Sequence, residues 1–328
     1  MNKHYNLAVC GATGVVGRKV IQVLEERDFP IANLSLFASA RSAGQTIDFK
    51  GEPITIQELT EDSLKAPIQI AIFSAGGDAS KHYAPFAADN GVIVIDNSSA
   101  WRMDPNVPLV VPEVNPSALE NGSKIIANPN CSTIQSVVPL AVLKPYGIKR
   151  VVYSTYQAVS GAGQKGIDDL ENRTTNNFPY SINESVIPQI DVFLDNGYTK
   201  EEVKMIEETR KILELPELRV TATTVRVPIK NSHGVSINIE LEHAFDLEQV
   251  KTEFANHSGL VVVDDIANLR YPLQNEANDK DEVFVGRIRR DDSLENGLNI
   301  WVVADNIRKG AATNSVQIAE TLIKNNLV

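Results

Sequence analysis

Short apolar runs rich in β-branched residues alternate with helical patterns through the first half of the chain. The runs predict strands at residues 6–10, 34–38, 68–74, 92–96 and 124–127. The spacing of apolar positions between them predicts helices at 18–27, 80–90 and 132–143. Strands that alternate with helices are typical of βαβ units, so the pattern predicts a parallel sheet covered by helices.

The pattern changes after Arg150, where longer strands follow one another with little helix between them. Strands are predicted at 219–229, 234–241, 260–264, 282–289 and 298–304, and helices at 164–172, 200–213 and 247–256. Such an order is typical of an α+β domain with a mainly antiparallel sheet. A last helix at 311–324 is expected to return to the first domain. We therefore predict one domain at 1–130, joined by the C-terminal segment 306–328, and a second at 131–305.

Composition narrows the class of protein. The 328 residues are 43% hydrophobic and 22% charged, as in folded globular chains, which excludes a disordered protein. The net charge of −11 disfavours nucleic acid or an anionic membrane as a partner. No signal peptide is recognised, and no apolar run approaches the ~20 residues that span a bilayer. With only two cysteines, Cys10 and Cys131, the sequence favours a reducing compartment, and we expect a cytoplasmic protein.

The segment GATGVVG (11–17) follows the first predicted strand and begins a helix. Glycines at such a turn let the backbone approach a pyrophosphate, whose charge the helix start favours, as in a Rossmann-type dinucleotide site. The GxxGxxG spacing departs from the commoner GxGxxG, and a tight turn without a ligand is the alternative. SARSAG (39–44) follows the second strand where an NAD site usually has an acid, and Arg41 between hydroxyl groups suits the 2′-phosphate of NADP. An ordinary surface arginine is the alternative there.

Cys131 stands between a predicted strand and a predicted helix, so the helix start favours its thiolate, the nucleophilic form. A buried structural cysteine is the alternative. Cys10 lies in an apolar strand, and we predict that it is a small buried hydrophobic residue. Gln157 closes an alternating strand before a flexible turn, and Arg226 and His233 are close in sequence. A single histidine is usually a surface or core residue, so residue type alone favours that position for His233 over a catalytic one. Glu201 and Lys204 share a helix face, which by itself indicates a solvated ion pair.

Ten short motifs occur in a fixed order along the chain: GATGVVG (11–17), SARSAG (39–44), NPNCSTIQ (128–135), STYQAVSGAG (154–163), EEVK (201–204), VRVP (225–228), SHG (232–234), GRIRRD (286–291), WVVADN (301–306) and KGAATNSVQIAE (309–320). Taken together, these motifs resemble the aspartate-β-semialdehyde dehydrogenase family over nearly the whole chain. The resemblance implies a Rossmann-type domain and a substrate and dimerisation domain, assembled as a homodimer. It also implies reversible NADPH-dependent conversion of L-aspartyl 4-phosphate to L-aspartate 4-semialdehyde and phosphate, at the branch to lysine, diaminopimelate, methionine, threonine and isoleucine.

The same resemblance implies a role for individual residues. Cys131 is the nucleophile that forms a thioacyl intermediate, His233 the general acid/base, and Gln157 orients the intermediate. Substrate contacts are assigned to Arg102, Gln157, Glu201, Lys204 and Arg226, with Arg226 on the α-carboxylate, Glu201 on the ammonium, and Lys204 with Arg102 on phosphate. NADP contacts are assigned to Gly11, Thr13, Gly14, Val15, Val16, Ser39, Arg41, Ser42, Ser160, Gly161, Asn306 and Gln317. No metal ligand is assigned.

Three other interpretations stay open at this point. N-acetyl-γ-glutamyl-phosphate reductase has the same fold and thioester chemistry, but its blocked amine would not need a carboxylate such as Glu201. A cysteine peptidase built on Cys131 and His233 would leave the glycine-rich turn unexplained. A non-catalytic NADP-binding relative would have no need of Cys131, Gln157, Arg226 and His233, all of which are present.

Overall fold

The computed structural model describes residues 3–328 and divides into two compact units. One unit comprises Met1–Pro129 together with Ala311–Val328, and the other comprises Asn130–Gly310. Among the residues described, no helix is long and apolar enough to cross a membrane.

The first unit is an α/β fold around a seven-stranded sheet. Its strands are β1 (Tyr5–Cys10), β2 (Ile31–Ala38), β3 (Thr46–Phe49), β4 (Glu52–Glu58), β5 (Ile70–Phe73), β6 (Ile93–Asp96) and β7 (Ile125–Ala127). Its helices are α1 (Val15–Glu26), α2 (Gly77–Asp89) and the C-terminal α8 (Thr313–Lys324). The strand order is β3-β4-β2-β1-β5-β6-β7, and every neighbouring pair is parallel except β3 with β4. The predicted Rossmann-type parallel sheet is therefore confirmed.

Two apolar clusters cover the faces of this sheet. Residues of α1 and α8, such as Leu24 and Val316, pack with Leu7 and Ile72 in one cluster. The other cluster joins Ala84 of α2 to side chains that point from the opposite face of the strands. Helix α8 thus completes the core of the first unit. Its side chains lie beside α1 and β6, although these elements are far from α8 in sequence.

The second unit is built on a six-stranded sheet. Its strands are β8 (Ile148–Gln157), β9 (Arg219–Arg226), β10 (His233–Leu241), β11 (Leu260–Val262), β12 (Val283–Asp291) and β13 (Gly297–Ala304). Its helices are α3 (Cys131–Leu143), α4 (Gln164–Asn172), α5 (Lys200–Leu213), α6 (Leu247–Asn256) and the short α7 (Gln274–Ala277). A one-turn π-helix, Arg308–Ala312, precedes α8.

The strand order of this sheet is β11-β12-β13-β10-β8-β9. The four central strands are antiparallel to one another, as predicted, whereas the edge strands β9 and β11 pair in parallel. Strands β9 and β10 follow each other in sequence, yet β8 lies between them. Because β8 and β9 run in parallel, both end at the same edge of the sheet, with Gln157 directly beside Arg226.

Candidate active site

The sulfur of Cys131 lies at the first residue of α3. Asn130 caps this helix: its side-chain oxygen accepts hydrogen bonds from the backbone N–H groups of Ser132 at 2.9 Å and Thr133 at 3.2 Å. The backbone N–H of Asn130 donates to the carboxylate of Glu208 at 2.6 Å. These contacts fix the start of the helix, where its partial positive charge favours a thiolate.

His233 is the first residue of β10 and is completely buried. Its Nε2 lies 3.3 Å from Sγ of Cys131, so two residues 102 positions apart in sequence form a pair. Its other nitrogen, Nδ1, accepts a hydrogen bond of 3.0 Å from the backbone N–H of Ala158. Burial lowers the pKa of His233 well below its ordinary value, and the positive charge of Arg226 lowers it further.

Arg226 and Gln157 stand at the ends of the parallel strands β9 and β8, beside this pair. Arg226 is 5% exposed, donates from Nη1 to the carbonyl oxygen of Ala158 at 2.7 Å, and has no hydrogen-bond partner at its buried Nε. Burial lowers the pKa of Arg226, against the negative charges of Glu201 and Cys131. A buried guanidinium with an unused donor can bind a carboxylate, for which its planar geometry is suited.

Glu201, in the first turn of α5, connects Asn130, the cap of α3, to the other polar residues of the site. Its Oε1 accepts from Nδ2 of Asn130 at 2.9 Å and from Nε2 of Gln157 at 3.3 Å. Its Oε2 accepts from Nζ of Lys204 at 3.3 Å, and Lys204 also donates to Asp191 at 2.8 Å. Burial lowers the pKa of Lys204, but the negative charges and hydrogen bonds of Glu201 and Asp191 outweigh the effect of burial, so the pKa of Lys204 is raised overall. The pair shares a helix face as predicted, but Glu201 is 5% exposed and is not a solvated surface acid.

Ser160, Gly161 and Asn306 also belong to this unit. Nδ2 of Asn306 donates to Oγ of Ser160 at 3.0 Å, and its Oδ1 accepts from the backbone N–H of Ser232 at 2.8 Å. Asn306 therefore holds the residue that precedes His233. A Cβ at Gly161 would lie 2.8 Å from Nη1 of Arg226 and 3.3 Å from the ring of His233, so a side chain there would require the guanidinium of Arg226 to move.

The sequence did not single out four residues that shape this site. The capping role of Asn130 could have been predicted, since Asn is a preferred residue immediately before a helix. Glu208 lies two turns after Glu201 on the same helix, and Gln135 lies one turn after Cys131 and donates to the carbonyl oxygen of His233 at 3.0 Å. Gly310 had no local signal: a Cβ there would lie 2.8 Å from Cβ of Cys131, a contact that only the folded chain reveals.

In the first unit, the glycine-rich turn joins β1 to α1. Gly11 has φ +90°, and a Cβ there would lie 2.4 Å from the carbonyl oxygen of Ser74. Gly14 caps α1, and Val15 and Val16 are its first helical residues, with Val16 packed against the core. Gly11, Thr13 and Gly14 line a cleft of about 470 Å³. The turn thus exposes backbone at a helix start inside a cleft, which fits a bound pyrophosphate.

The residues after β2 contribute unequally to this cleft. Ser39 lines it, whereas Arg41 and Ser42 lie in a short 3₁₀ turn, Ala40–Ser42, outside the lining, and Arg41 is exposed. Glu58, at the end of β4 and paired in register with Ala38, also lines the cleft. The sequence showed no acid after β2, and this one was missed because β4 was not predicted.

Two further predicted site residues lie in the first unit. Arg102 is 8% exposed and donates to the carbonyl oxygens of Asn97 at 2.9 Å and Asn128 at 3.0 Å. Gln317, on α8, donates to the carboxylate of Glu113 at 2.9 Å.

Comparison with known proteins identifies relatives along the entire chain. Residues 6–122 match the family model described as semialdehyde dehydrogenase, NAD binding domain, and residues 138–309 match semialdehyde dehydrogenase, dimerisation domain. The aspartate-semialdehyde dehydrogenase of Aquifex aeolicus is 53% identical over 99% of both chains, and that of Bacillus subtilis is 47% identical over 100% of both. The crystal structure of aspartate semialdehyde dehydrogenase II from Vibrio cholerae complexed with ASA has a TM-score of 0.95 at 46% identity, covering 98% of this chain and 99% of the other.

Proposed function

This chain belongs to the aspartate-semialdehyde dehydrogenase family of oxidoreductases, and from that premise we propose that it reduces L-aspartyl 4-phosphate to L-aspartate 4-semialdehyde and phosphate, reversibly and with NADPH. The observation that carries the proposal is the thiol of Cys131 at a helix start, 3.3 Å from His233. A thiolate there suits attack on an acyl phosphate, with a thioester as the product.

Three side chains are proposed to recognise the substrate. Arg226, with its unused buried Nε, would bind the α-carboxylate, and Glu201 would bind the ammonium group. Gln157, which donates to Glu201, would orient the acyl group on Cys131. The Vibrio cholerae relative is described as complexed with ASA, which supports an amino-acid semialdehyde as the ligand of these residues.

Lys204 and Arg102 are proposed to hold the phosphate group. Lys204, whose side chain is 27% exposed, keeps its positive charge beside Glu201 and Asp191. Arg102 is buried, and its guanidinium is fixed by two backbone carbonyls. Fixed cations of this kind bind phosphate with little loss of side-chain entropy.

The cofactor is proposed to be NADP, which supplies the hydride when it is bound. Gly11, Thr13 and Gly14, with the first N–H groups of α1 at Val15 and Val16, would hold the pyrophosphate. Ser39, Arg41 and Ser42 are assigned to the 2′-phosphate. Ser160, Gly161, Asn306 and Gln317 are assigned to the nicotinamide side by family resemblance.

The remaining features of the proposal concern context. The reaction would serve the biosynthesis of lysine, diaminopimelate, methionine, threonine and isoleucine. A homodimer is supported by the dimerisation-domain match and by exposed apolar side chains of the second unit, such as Tyr156, Ile266 and Leu269. A reducing compartment such as the cytoplasm would keep Cys131 free, and we propose it as the site of the reaction.

The proposal is tested by NADP reduction in the presence of L-aspartate semialdehyde, with and without phosphate. We expect reduction that depends on phosphate and is lost in Cys131→Ala, whereas Cys10→Ala, at a buried strand position, should stay active. Turnover of only the N-acetylated glutamate semialdehyde would favour the reductase with the longer substrate. Binding of NADP without turnover of either aldehyde would favour a non-catalytic relative.

A further inference from the structure

We propose that Asn128 and Asn314 are positioning residues of the phosphate site, which hold in place the backbone carbonyls that bind Arg102. This inference rests on the proposed function, because it deepens the assignment of Arg102 to phosphate. Asn128 is the first residue of NPNCSTIQ (128–135), and Asn314 lies on α8 within KGAATNSVQIAE (309–320). Neither asparagine received a role from its sequence context, and both belong to the first unit, as Arg102 does.

Two backbone carbonyls hold one edge of the Arg102 guanidinium. Its Nε donates to the carbonyl oxygen of Asn128 at 3.0 Å, and its Nη2 donates to the carbonyl oxygen of Asn97 at 2.9 Å. Asn97 directly follows β6 and Asn128 directly follows β7, and these strands are parallel neighbours, so both residues lie at the same edge of the sheet. The position of the guanidinium therefore depends on the backbone at residues 97 and 128.

The side chains of the same two asparagines bind each other. Nδ2 of Asn128 donates to Oδ1 of Asn97 at 3.0 Å. Nδ2 of Asn97 donates in turn to the carbonyl oxygen of Phe73, the last residue of β5, at 3.0 Å. Each asparagine thus offers its backbone carbonyl to Arg102 while its side chain fixes its own place at the sheet edge.

The first turn of α8 completes this network. Nδ2 of Asn314 donates to Oδ1 of Asn128 at 2.7 Å and to the carbonyl oxygen of Val110 at 3.0 Å. Oγ of Ser315 donates to Oδ1 of Asn97 at 2.8 Å. Asn314 and Ser315 are completely buried. Only one orientation of the Asn314 amide fits, because turning it over would direct its oxygen at two other acceptors.

A purely structural role is the alternative, since buried asparagines commonly satisfy backbone groups. Asn115 is an example in the same unit: its side chain accepts from the N–H of Val111 at 2.9 Å and donates to the carbonyl oxygen of Leu109 at 2.9 Å. The bonds of Asn314 differ because one of them reaches Asn128, whose carbonyl binds Arg102. A displacement at Asn314 is therefore transmitted to the guanidinium.

The two halves of the proposed reaction separate a role at phosphate from a structural one. In the first half Cys131 adds to the aldehyde, the hydroxyl proton of the thiohemiacetal goes to a base, hydride passes from its carbon to NADP, and a thioester remains on sulfur. In the second half a phosphate oxygen attacks the thioester carbon, a C–O bond forms, the C–S bond breaks, and the electron pair returns to sulfur as thiolate. Only the second half uses phosphate, so a defect confined to Arg102 should appear there alone.

Rapid mixing of the full-length protein with NADP and L-aspartate semialdehyde, without phosphate, measures the first half as a burst of NADPH absorbance. Steady-state turnover at increasing phosphate then gives the KM for phosphate. We expect Asn314→Ala to raise this KM about 10-fold, while the burst rate and the KM for the semialdehyde stay within about 2-fold. Ser315→Ala, which leaves every amide in place, should raise the phosphate KM about 3-fold and decides the matter if Asn314→Ala does not fold.

The matched control is Asn115→Ala, which removes two hydrogen bonds to residues that flank Val110 and should change neither the burst nor the phosphate KM. In an Arg102→Ala background, Asn314→Ala should raise the phosphate KM no further, because it acts through Arg102. Additive increases, a burst slowed as much as turnover, or an unchanged phosphate KM in Ser315→Ala would overturn this inference alone. No burst in the unmodified protein would overturn the proposed function and this inference with it.

Discussion

Replacing Asn130 separates the stability of helix α3 from the chemistry at its first residue. The Asn130 side chain accepts two backbone N–H groups of α3 and donates to Glu201 at 2.9 Å. Asn130→Ala removes both functions, whereas Asn130→Ser keeps a good cap and loses only the contact with Glu201. Asp246 provides a matched control, since it caps α6 through the N–H of Gln249 at 2.8 Å.

The magnitudes follow from these contacts. A lost cap costs about 1 kcal/mol of unfolding free energy, and a lost hydrogen bond to a buried carboxylate about 2 kcal/mol. Asn130→Ala should therefore lose roughly 3 kcal/mol, Asn130→Ser about 2, and Asp246→Ala about 1. Because Cys131 is the next residue, a shift of about 1 Å in the start of α3 should lower kcat on the order of 100-fold.

Denaturant unfolding gives the free energies, and the semialdehyde assay gives kcat. Asn130→Ser should be more stable than Asn130→Ala yet still slow, because Glu201 and Gln157 lose their link to the cap. Asp246→Ala should lose stability and keep full activity. The reasoning is refuted if Asp246→Ala and Asn130→Ala lose activity equally, or if Asn130→Ala keeps normal kcat.

Three further predictions follow from individual contacts. Gly310→Ala places a Cβ 2.8 Å from that of Cys131 and should slow alkylation and turnover at least 10-fold, whereas Gly77→Ala, which meets open space, should do neither. Burial raises the pKa of Asp169, but hydrogen bonds from Thr174 and three backbone N–H groups outweigh it and hold the pKa at about 2. The ionised carboxylate of Asp169 stabilises the fold at pH values above its unfolded pKa of about 3.9, and this stabilisation is lost as the pH falls toward 2. Asp169→Asn should therefore lower the free energy of unfolding at pH 7 by about 2 kcal/mol, and the difference from the unmodified protein should disappear in acid. The control Asp168→Asn should show no such difference. Arg41→Ala should weaken NADP binding about 10- to 100-fold in a titration and leave NAD binding unchanged, and equal losses for both would contradict its assignment to the 2′-phosphate.

Local patterns predicted most elements of the first unit because buried parallel strands and amphipathic helices have distinct periods. The hairpin of β3 and β4 was not predicted, although Ile54 and Ile56 alternate with polar residues in the sequence. In the structure, Lys50 and Gly51 at the turn of this hairpin both have positive φ. That miss also concealed Glu58, whose position beside Ala38 depends on strand pairing.

The site in the second unit is non-local, and this limits what a single sequence reveals. No spacing rule brings Cys131 to His233, and their pairing followed from family resemblance before the structure gave the distance. The order of β8, β9 and β10 likewise depends on long-range pairing, and this order sets Gln157 beside Arg226. Capping by Asn130 was readable locally, whereas the need for glycine at 310 arises only from packing.

The central claim is that Cys131 carries the substrate as a thioester, and intact-protein mass spectrometry after rapid quenching tests it most directly. The protein is mixed with NADP and L-aspartate semialdehyde in the absence of phosphate, and the peptide that carries the added aspartyl mass is then identified. We predict one aspartyl group on Cys131, discharged when phosphate is added and absent in Cys131→Ala. Turnover with no adduct on Cys131, or an adduct on another residue, would contradict the account.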